Sequence, residues 1–208
     1  MSPSLLNPDS ANEPTPGVLT RRAFFLLGAG AIGAIALWRF TRDENVQAEP
    51  TPVPAGPPEM VTIVDFTNDG KRKSSESVAK VVKTDSEWQK QLSSGAYQIT
   101  RREGTEIPYS GEYCNFYGAG IYRCVCCDTA QFSSETKYDS GEGWPSFWQP
   151  IAKENVVEQR DDSLGMMRTK VSCRRCDAHL GHVFEDGPQP TGLRYCINSL
   201  ALRFVKAG

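Results

Sequence analysis

The sequence predicts a mainly β domain with antiparallel strands, and two patterns carry that prediction. Beyond residue 100, short β-prone runs at 121–123, 166–171 and 193–205 are separated by glycine, aspartate and proline. Few windows between these turn residues are long enough for a helix. Two C-x-x-C pairs lie in the same half of the chain, and a metal ion bound by both would staple distant hairpins together.

One short helix is expected before the β-rich part of the chain. Thr84 and Glu87 have the spacing of a capping box, and Trp88 follows on a face with helical spacing. Gly95 is a reasonable stop, so the helix should run from about 85 to 93.

Composition places the chain among globular proteins and argues against one functional class. Hydrophobic residues make up 39% and charged residues 23% of the 208 positions. A nucleic-acid-binding protein usually carries a basic face, whereas the net charge here is −2. The seven cysteines are an odd number, so at least one thiol is free or bound to something other than another thiol.

Residues 1–48 have the features of an export leader of the twin-arginine type. Arg21 and Arg22 precede an apolar run at 24–38. This run would span about 22 Å as a helix, less than the roughly 30 Å of a bilayer core, so a leader fits better than a stable transmembrane helix. We therefore expect an exported, periplasmic or otherwise extracytoplasmic protein, with the leader either cleaved or retained as a membrane anchor. A buried helix is the alternative.

The domain organisation after the leader follows from proline content. Residues 49–80 form a proline-rich spacer and lead-in, with a predicted strand at 61–66. Prolines lack a backbone donor and favour extended conformations, which suits a spacer. The folded domain is expected at 81–206.

Four cysteines have the spacing of a structural zinc site. Cys124 and Cys127 form one C-x-x-C pair, and Cys173 and Cys176 form the other. Two residues between thiolates allow a tight turn to aim both sulfurs at one ion, and two such turns complete a closed tetrahedral site. The alternative is two disulfides, which an exported protein could form. We predict one structural Zn²⁺ per chain.

The remaining thiols are Cys114, Cys126 and Cys196, and the surroundings of Cys196 favour it as a nucleophile. Arg194, Cys196 and Asn198 would share one strand face, because side chains alternate along a strand. A cation beside a thiol stabilises the reactive thiolate. A cysteine in a strand is otherwise a small core residue, and the spacing alone leaves that alternative open.

Two further groups could serve a reactive thiol. His179 and His182 are the only histidines of the chain, and near a thiol they could move protons around neutral pH. Their alternative role is as extra metal ligands. Trp144 lies in a glycine-rich turn and could form an aromatic wall for a thioether-like methyl group, or it could simply be core.

Taken together, these motifs resemble the methionine-R-sulfoxide reductases, the B-type family, over residues 83–205. The likeness consists of six segments in order: 109–113, the first C-x-x-C pair, 139–147, the second C-x-x-C pair, 179–184 and 194–199. The resemblance implies two small antiparallel sheets with a few short peripheral helices. It also implies stereospecific reduction of the R epimer of methionine sulfoxide, mainly within proteins.

The resemblance further implies a role for each site residue. Cys196 would attack the sulfoxide sulfur and become a sulfenic acid. A second thiol would condense with that acid, and a thioredoxin-like dithiol would regenerate the enzyme. Oxidised proteins or peptides would be the substrates, and we expect a monomer. The other implied site residues are His179, His182 and Asn198 around the sulfoxide oxygen, and Trp144 and Arg194 as substrate contacts.

One departure from the family pattern concerns the recycling thiol. Many members carry a resolving cysteine between the two glycines before the tryptophan, whereas Glu142 stands there in this chain. Cys114 is the first candidate for that role, because it lies in a flexible-looking segment. Direct external reduction and Cys126 are the alternatives.

Two other functions are compatible with the same cysteines. In a zinc-ribbon binding module, the cleft would grip a partner and Cys196 would be an unreactive core residue. In a general disulfide exchanger, a C-x-x-C pair would react instead of binding metal. The strand face that carries Cys196 favours the enzyme.

Overall fold

The computed structural model describes residues 56–162 and 167–208, in which eleven strands and two α-helices occur. In chain order they are β1 (Met60–Phe66), β2 (Arg72–Ala79), α1 (Asp85–Gln91), α2 (Ser94–Arg102), β3 (Gly120–Cys124), β4 (Ala130–Ser133), β5 (Lys137–Tyr138), β6 (Ser146–Phe147), β7 (Val156–Asp161), β8 (Arg168–Cys173), β9 (His179–Phe184), β10 (Arg194–Ile197) and β11 (Leu202–Lys206). Of the predicted strand at 166–171, residue 166 lies outside the described residues, Met167 precedes the strand, and 168–171 belong to β8.

The strands form three antiparallel sheets. Six strands pair in the order β5-β6-β10-β9-β8-β7, three pair in the order β11-β3-β4, and β1 and β2 form a separate hairpin. The prediction of a mainly β fold with antiparallel sheets and a few short helices is confirmed. The hairpin is an addition to the two sheets that were expected.

The main core lies between the six-stranded and the three-stranded sheet. Tyr122 and Phe132 from the smaller sheet meet Phe147 and Tyr195 from the larger one, and all four side chains are at most 1% exposed. The rings of Phe132 and Phe147 stack with centroids 4.5 Å apart, and Tyr122 meets Phe147 edge-on at 5.1 Å. These aromatic contacts fix the two sheets face to face, with β10 in the middle of the larger one.

The β1–β2 hairpin is attached to the rest of the domain by buried contacts, and the side-chain amide of Asn155 is central to them. The Asn155 side chain accepts from the backbone N–H of Val64 at 2.7 Å and donates to the carbonyls of Val64 and Ala130, both at 2.8 Å. Phe66 is buried beneath the hairpin, and its carbonyl accepts from the Arg123 guanidinium at 2.8 Å. Residues 60–79 therefore belong structurally with the domain that follows them.

The predicted helix at 85–93 is confirmed as α1, with its capping box. Thr84 accepts from the backbone N–H of Glu87, and the Glu87 carboxylate accepts from the backbone N–H of Thr84. The role assigned to Gly95 is wrong, because α1 ends at Gln91, with Leu92 as its C-cap, and Gly95 lies inside α2. The Ser93 hydroxyl accepts from the Ala96 N–H and starts this second helix, which the glycine obscured in the sequence.

The β-prone run at 193–205 is not one strand but two strands in different sheets. β10 belongs to the larger sheet and β11 to the smaller one, and a 3-10 turn at Ser199–Ala201 separates them. The Glu106 carboxylate accepts from the backbone N–H groups of Ser199 at 2.6 Å and Leu200 at 3.1 Å, so a residue distant in sequence stabilises this turn.

The predicted export leader at 1–48 and its apolar run at 24–38 lie outside the described residues. Within 56–162 and 167–208, we find no helix that is both long enough and apolar enough to cross a lipid bilayer.

Candidate functional site

The two C-x-x-C turns meet in space, although 45 residues separate them in sequence. The first follows β3 and the second follows β8. Each turn closes in the same way: the N–H of Asp128 donates to the Cys124 carbonyl, and that of Asp177 to the Cys173 carbonyl, both at 2.9 Å. Both aspartates have positive φ, at 64° and 55°. The chain therefore reverses tightly after each pair of cysteines.

The four sulfur atoms have the geometry of a metal-binding centre. The Sγ atoms of Cys124, Cys127, Cys173 and Cys176 all lie within 4.8 Å of one another. Two of these separations are 3.5 Å (Cys127 to Cys173) and 3.7 Å (Cys124 to Cys176). A tetrahedron of Zn–S bonds of about 2.3 Å has edges of about 3.8 Å. The cysteines are thus free thiols spaced as ligands, and the two alternative disulfides do not form.

A buried donor supports one ligand of this cluster. The Gln131 amide donates to Cys173 Sγ at 3.2 Å, and both side chains are fully buried. Such a contact orients a thiolate and stabilises its charge. Cys126 lies between two of the cluster's cysteines in sequence but is not one of the four, and its carbonyl accepts from the Gln91 amide at 2.8 Å.

Cys196 lies on a second site, a cavity of about 290 Å³ on the six-stranded sheet. This volume is close to the lower limit of small-molecule pockets, so the cavity suits a single side chain of a larger ligand. The predicted site residues that line it are Cys196, Arg194, Asn198, His182 and Trp144, and Glu142 lines it as well. The structure therefore brings together residues from the 142–144 turn, β9 and the segment that contains β10.

Arg194 and Cys196 lie on β10 and Asn198 lies just beyond its end, whereas the resting ionisation of Cys196 differs from the expectation. Arg194, Cys196 and Asn198 all line the cavity. Burial raises the pKa of Cys196 to about 11, and the nearby Arg194 charge lowers it only in part. The thiol is therefore protonated at neutral pH in the free protein, because desolvation outweighs the cation.

His182 is placed directly across from the nucleophile candidate. It is the cross-strand partner of Cys196 in the β9–β10 pair, where Cβ atoms lie about 5 Å apart. Its Nε2 contacts Asp161 Oδ2 at 2.8 Å, and burial lowers the pKa of the ring despite that carboxylate. A neutral His182 that donates from Nε2 to Asp161 leaves Nδ1 as a proton acceptor.

His179 lies behind His182 and is not among the residues that line the cavity. The two rings meet edge-on with centroids 5.3 Å apart. His179 is 2% exposed, and neither of its ring nitrogens has a hydrogen-bond partner within the described residues. Burial lowers the pKa of His179 to about 4, so it is neutral. The structure thus separates two histidines that the sequence presented as equivalent.

Glu106 fixes the positions of two side chains that line the cavity, Trp144 and Asn198. The Trp144 indole donates to the Glu106 carbonyl at 3.1 Å, and the Asn198 carboxamide accepts from the Glu106 N–H at 3.0 Å. Asn198 also donates to the Leu180 carbonyl at 3.0 Å. No pattern in the sequence marks Glu106, because its partners lie 38 and 92 positions away.

Two aspartates were also missed. Asp161 contacts both His182 and Arg168, at 2.8 and 2.9 Å. Asp186 accepts two hydrogen bonds from Arg194, at 2.9 and 2.8 Å, and these lower the pKa of its carboxyl. The opposite charges of Asp186 and Arg194, eight residues apart, could have indicated their ion pair from the sequence. The contacts of Asp161 could not be predicted in that way, because they depend on the order of β7, β8 and β9 in the sheet.

The backbone of β9 must pass very close to β10. Gly181 pairs with Ile197, and a Cβ on Gly181 would lie 2.1 Å from the Cys196 carbonyl oxygen. Only glycine permits this approach, which keeps the strand that bears His182 against the strand that bears Cys196.

The resolving-thiol candidates do not reach the cavity in this conformation. Cys114 is 8% exposed and Cys126 is 5% exposed, and neither lines it. Burial raises the pKa of Cys114 as well. Its neighbour Tyr113 donates from its backbone to the Ser199 hydroxyl at 3.1 Å, so this segment lies beside the turn that follows β10.

Comparison with known proteins identifies the family to which this chain belongs. The SelR domain matches residues 92–206, which is more than half of the chain. A protein of Hahella chejuensis named peptide methionine sulfoxide reductase MsrB is 58% identical over 128 residues, covering 62% of this chain and 92% of the relative. Proteins of the same name from Thioalkalivibrio sulfidiphilus and Herminiimonas arsenicoxydans are 59% and 56% identical, over 60% of this chain and 90% and 91% of their own lengths. This chain belongs to the SelR-domain family of peptide methionine sulfoxide reductases.

Proposed function

We propose that this protein reduces methionine-R-sulfoxide in peptides and proteins to methionine, with Cys196 as the nucleophile. The observation that carries the proposal is the cavity, in which a single thiol lies among an aromatic ring, a neutral histidine and an amide. Membership of the SelR-domain family supports the same activity.

The first step forms one S–O bond to Cys196 and breaks the S–O bond of the substrate. The Cys196 sulfur attacks the sulfoxide sulfur and forms a transient S–S bond. The oxygen then passes to Cys196 as that bond and the substrate S–O bond break, so methionine leaves and Cys196 becomes a sulfenic acid. His182 Nδ1 accepts the thiol proton as the attack begins and returns it to the oxygen. This route explains how a thiol that is protonated at rest can react.

The remaining side chains orient the substrate and the histidine. The Trp144 ring contacts the substrate methyl group, because sulfur and its methyl substituents attract aromatic rings. Asn198 and Arg194 lie where the sulfoxide oxygen would bind, and Asp161 fixes the His182 tautomer. His179 acts as a positioning residue through its ring contact with His182.

The four-cysteine cluster binds zinc in a structural role. A four-thiolate Zn²⁺ has no open coordination position and supplies folding stability rather than chemistry. It would tie the end of β3 to the end of β8, and thereby the smaller sheet to the larger one.

Cys114 is the proposed resolving thiol, because its segment contacts the turn after β10. Its thiol would expel water from the Cys196 sulfenic acid and form a disulfide, which a thioredoxin-like dithiol then reduces. Peptide mapping after one turnover without reductant should find a Cys114–Cys196 disulfide. Finding only a sulfenic acid would instead assign recycling to an external thiol.

Export through the twin-arginine leader is the proposed route to an extracytoplasmic location, on the basis of Arg21, Arg22 and the apolar run. Replacing both arginines with lysine should retain the protein in the cytoplasmic fraction. An unchanged distribution would argue against that route.

The test of the activity is Cys196→Ser in the full chain. We expect loss of R-sulfoxide reduction by at least about 10³-fold, because the nucleophile is removed. Metal content should be unchanged, since Cys196 is not in the four-cysteine cluster. Chromatography of a dabsylated R-sulfoxide substrate measures the first quantity, and the S epimer serves as the negative control. Activity that survives in this variant would contradict the proposal.

A further inference from the structure

The cavity carries one charge that the protein does not neutralise. Glu142 is exposed and lines the cavity, and its carboxylate makes no hydrogen bond or ion pair within 56–162 and 167–208. The cations around it are already paired, Arg194 with Asp186 and Arg168 with Asp161. His182 is neutral at pH 7, since burial lowers its pKa. The cavity mouth is therefore negative.

The turn that bears Glu142 is fixed on both sides. Gly141 and Gly143 have φ of 75° and 92°, conformations that favour glycine. The N–H of Tyr109 donates to the Gly143 carbonyl at 2.7 Å, and the Tyr109 hydroxyl donates to the Gly141 carbonyl. The N–H of Gly141 donates to Asp139 at 2.9 Å. The backbone around Glu142 is thus well anchored at the mouth of the cavity.

The negative charge of Glu142 acts on the Cys196 thiol in the same cavity. Burial contributes most to the raised pKa of Cys196 and Arg194 opposes it, while Glu142 adds to the increase. A ligand group at the mouth would lie close to Glu142, because Glu142 lines the cavity. Charged groups beside the oxidised methionine should therefore sense this carboxylate.

We propose that Glu142 makes the cavity select oxidised methionines that have basic neighbours in the peptide chain. The proposal rests on the proposed function and deepens it by naming a substrate class. The cavity has room for one side chain, so the residues before and after the methionine stay at the mouth. Lysine or arginine there would pair with Glu142, whereas aspartate or glutamate would be repelled. An exposed pair has a modest effect, so we expect a ratio of about threefold to tenfold between basic and acidic neighbours at low salt.

The experiment uses three blocked peptides of equal length that contain methionine-R-sulfoxide. Its neighbours on both sides are lysine, glutamine or glutamate, and kcat/KM is measured for each with the full chain. We expect lysine above glutamine above glutamate, with the ratio shrinking in about 0.5 M salt. Glu142→Gln should bring the lysine-to-glutamate ratio close to one, and Glu142→Lys should invert it.

Glu135→Gln is the matched control, because Glu135 is also exposed, makes no ion pair within the described residues and does not line the cavity. This variant should keep the wild-type ratio. If Glu142→Gln changed kcat/KM by the same factor for all three peptides, the proposal would be overturned, since Glu142 would then act only through the Cys196 thiol. So would a wild-type protein without any charge preference. Failure of the wild type to reduce even the glutamine peptide would instead contradict the proposed function.

Discussion

The four-cysteine cluster and the Cys196 cavity use the same side chain for opposite purposes. In the cluster, Cys124, Cys173 and Cys176 are at most 1% exposed and the four sulfurs face one another. In the cavity, a half-buried Cys196 is the only cysteine among the lining residues. Thiols that converge on a closed centre can hold an ion, whereas a lone thiol in an open pocket can meet a substrate. The surroundings, more than the residue type, decide what each cysteine does.

The two sites also differ in how they are assembled. Each half of the cluster is a local turn closed by two backbone hydrogen bonds, so the fold has only to bring two preformed halves together. The cavity has no such halves, since Glu106, Trp144, Asp161 and Cys196 come from different segments and meet only in the folded sheet. Perturbing the cluster should therefore affect stability, and perturbing the cavity should affect activity.

The largest effect should come from removing a ligand of the cluster. Cys173→Ser should release the metal and lower the melting temperature by more than about 10 °C, because structural zinc contributes folding free energy directly. Elemental analysis and thermal unfolding measure the two quantities. Cys126→Ser is the control and should keep the metal, since Cys126 is outside the four. Full metal content in Cys173→Ser would contradict the assignment of Cys173 as a metal ligand.

A second effect should appear in thiol reactivity. An exposed thiol has a pKa of about 8.5, whereas burial raises the pKa of Cys196 to about 11. At pH 7 its thiolate fraction is therefore about 10²-fold smaller, and it should grow about tenfold per pH unit toward pH 11. Alkylation of Cys196 by iodoacetamide at pH 7, 8 and 9, located by mass spectrometry, follows this fraction. Rapid, pH-independent labelling would show that Cys196 is a thiolate at rest.

The smallest of the three effects should come from a substitution of Glu106, which contacts Trp144 and Asn198 at the cavity and also the turn after β10. Glu106→Gln weakens two hydrogen bonds that a buried carboxylate accepts from backbone N–H groups, so we expect about 1–3 kcal/mol less stability and roughly tenfold lower kcat/KM. Glu103→Gln is a suitable control, because Glu103 pairs with Lys170 while largely exposed to solvent. A lower melting temperature with unchanged kcat/KM would assign Glu106 a purely structural role.

Local signals predicted some elements of the fold well and misled at others. The capping box at Thr84 and Glu87 specified α1, because both partners lie within one turn. Gly95 misled because glycine also occurs inside a helix, and here a Cβ would lie only 3.0 Å from Leu200. The run at 193–205 looked continuous because nothing local shows that Glu106 stabilises a turn within it.

The sequence by itself determined the two C-x-x-C turns, the antiparallel β character and the strand face shared by Arg194 and Cys196, because these depend on spacings of a few residues. Only the tertiary structure decided that His182 lies opposite Cys196 while His179 lies behind it, and that Asp161 fixes His182. It also decided that Cys196 is protonated at rest. These features depend on strand order and burial, which arise when distant segments pack and exclude water.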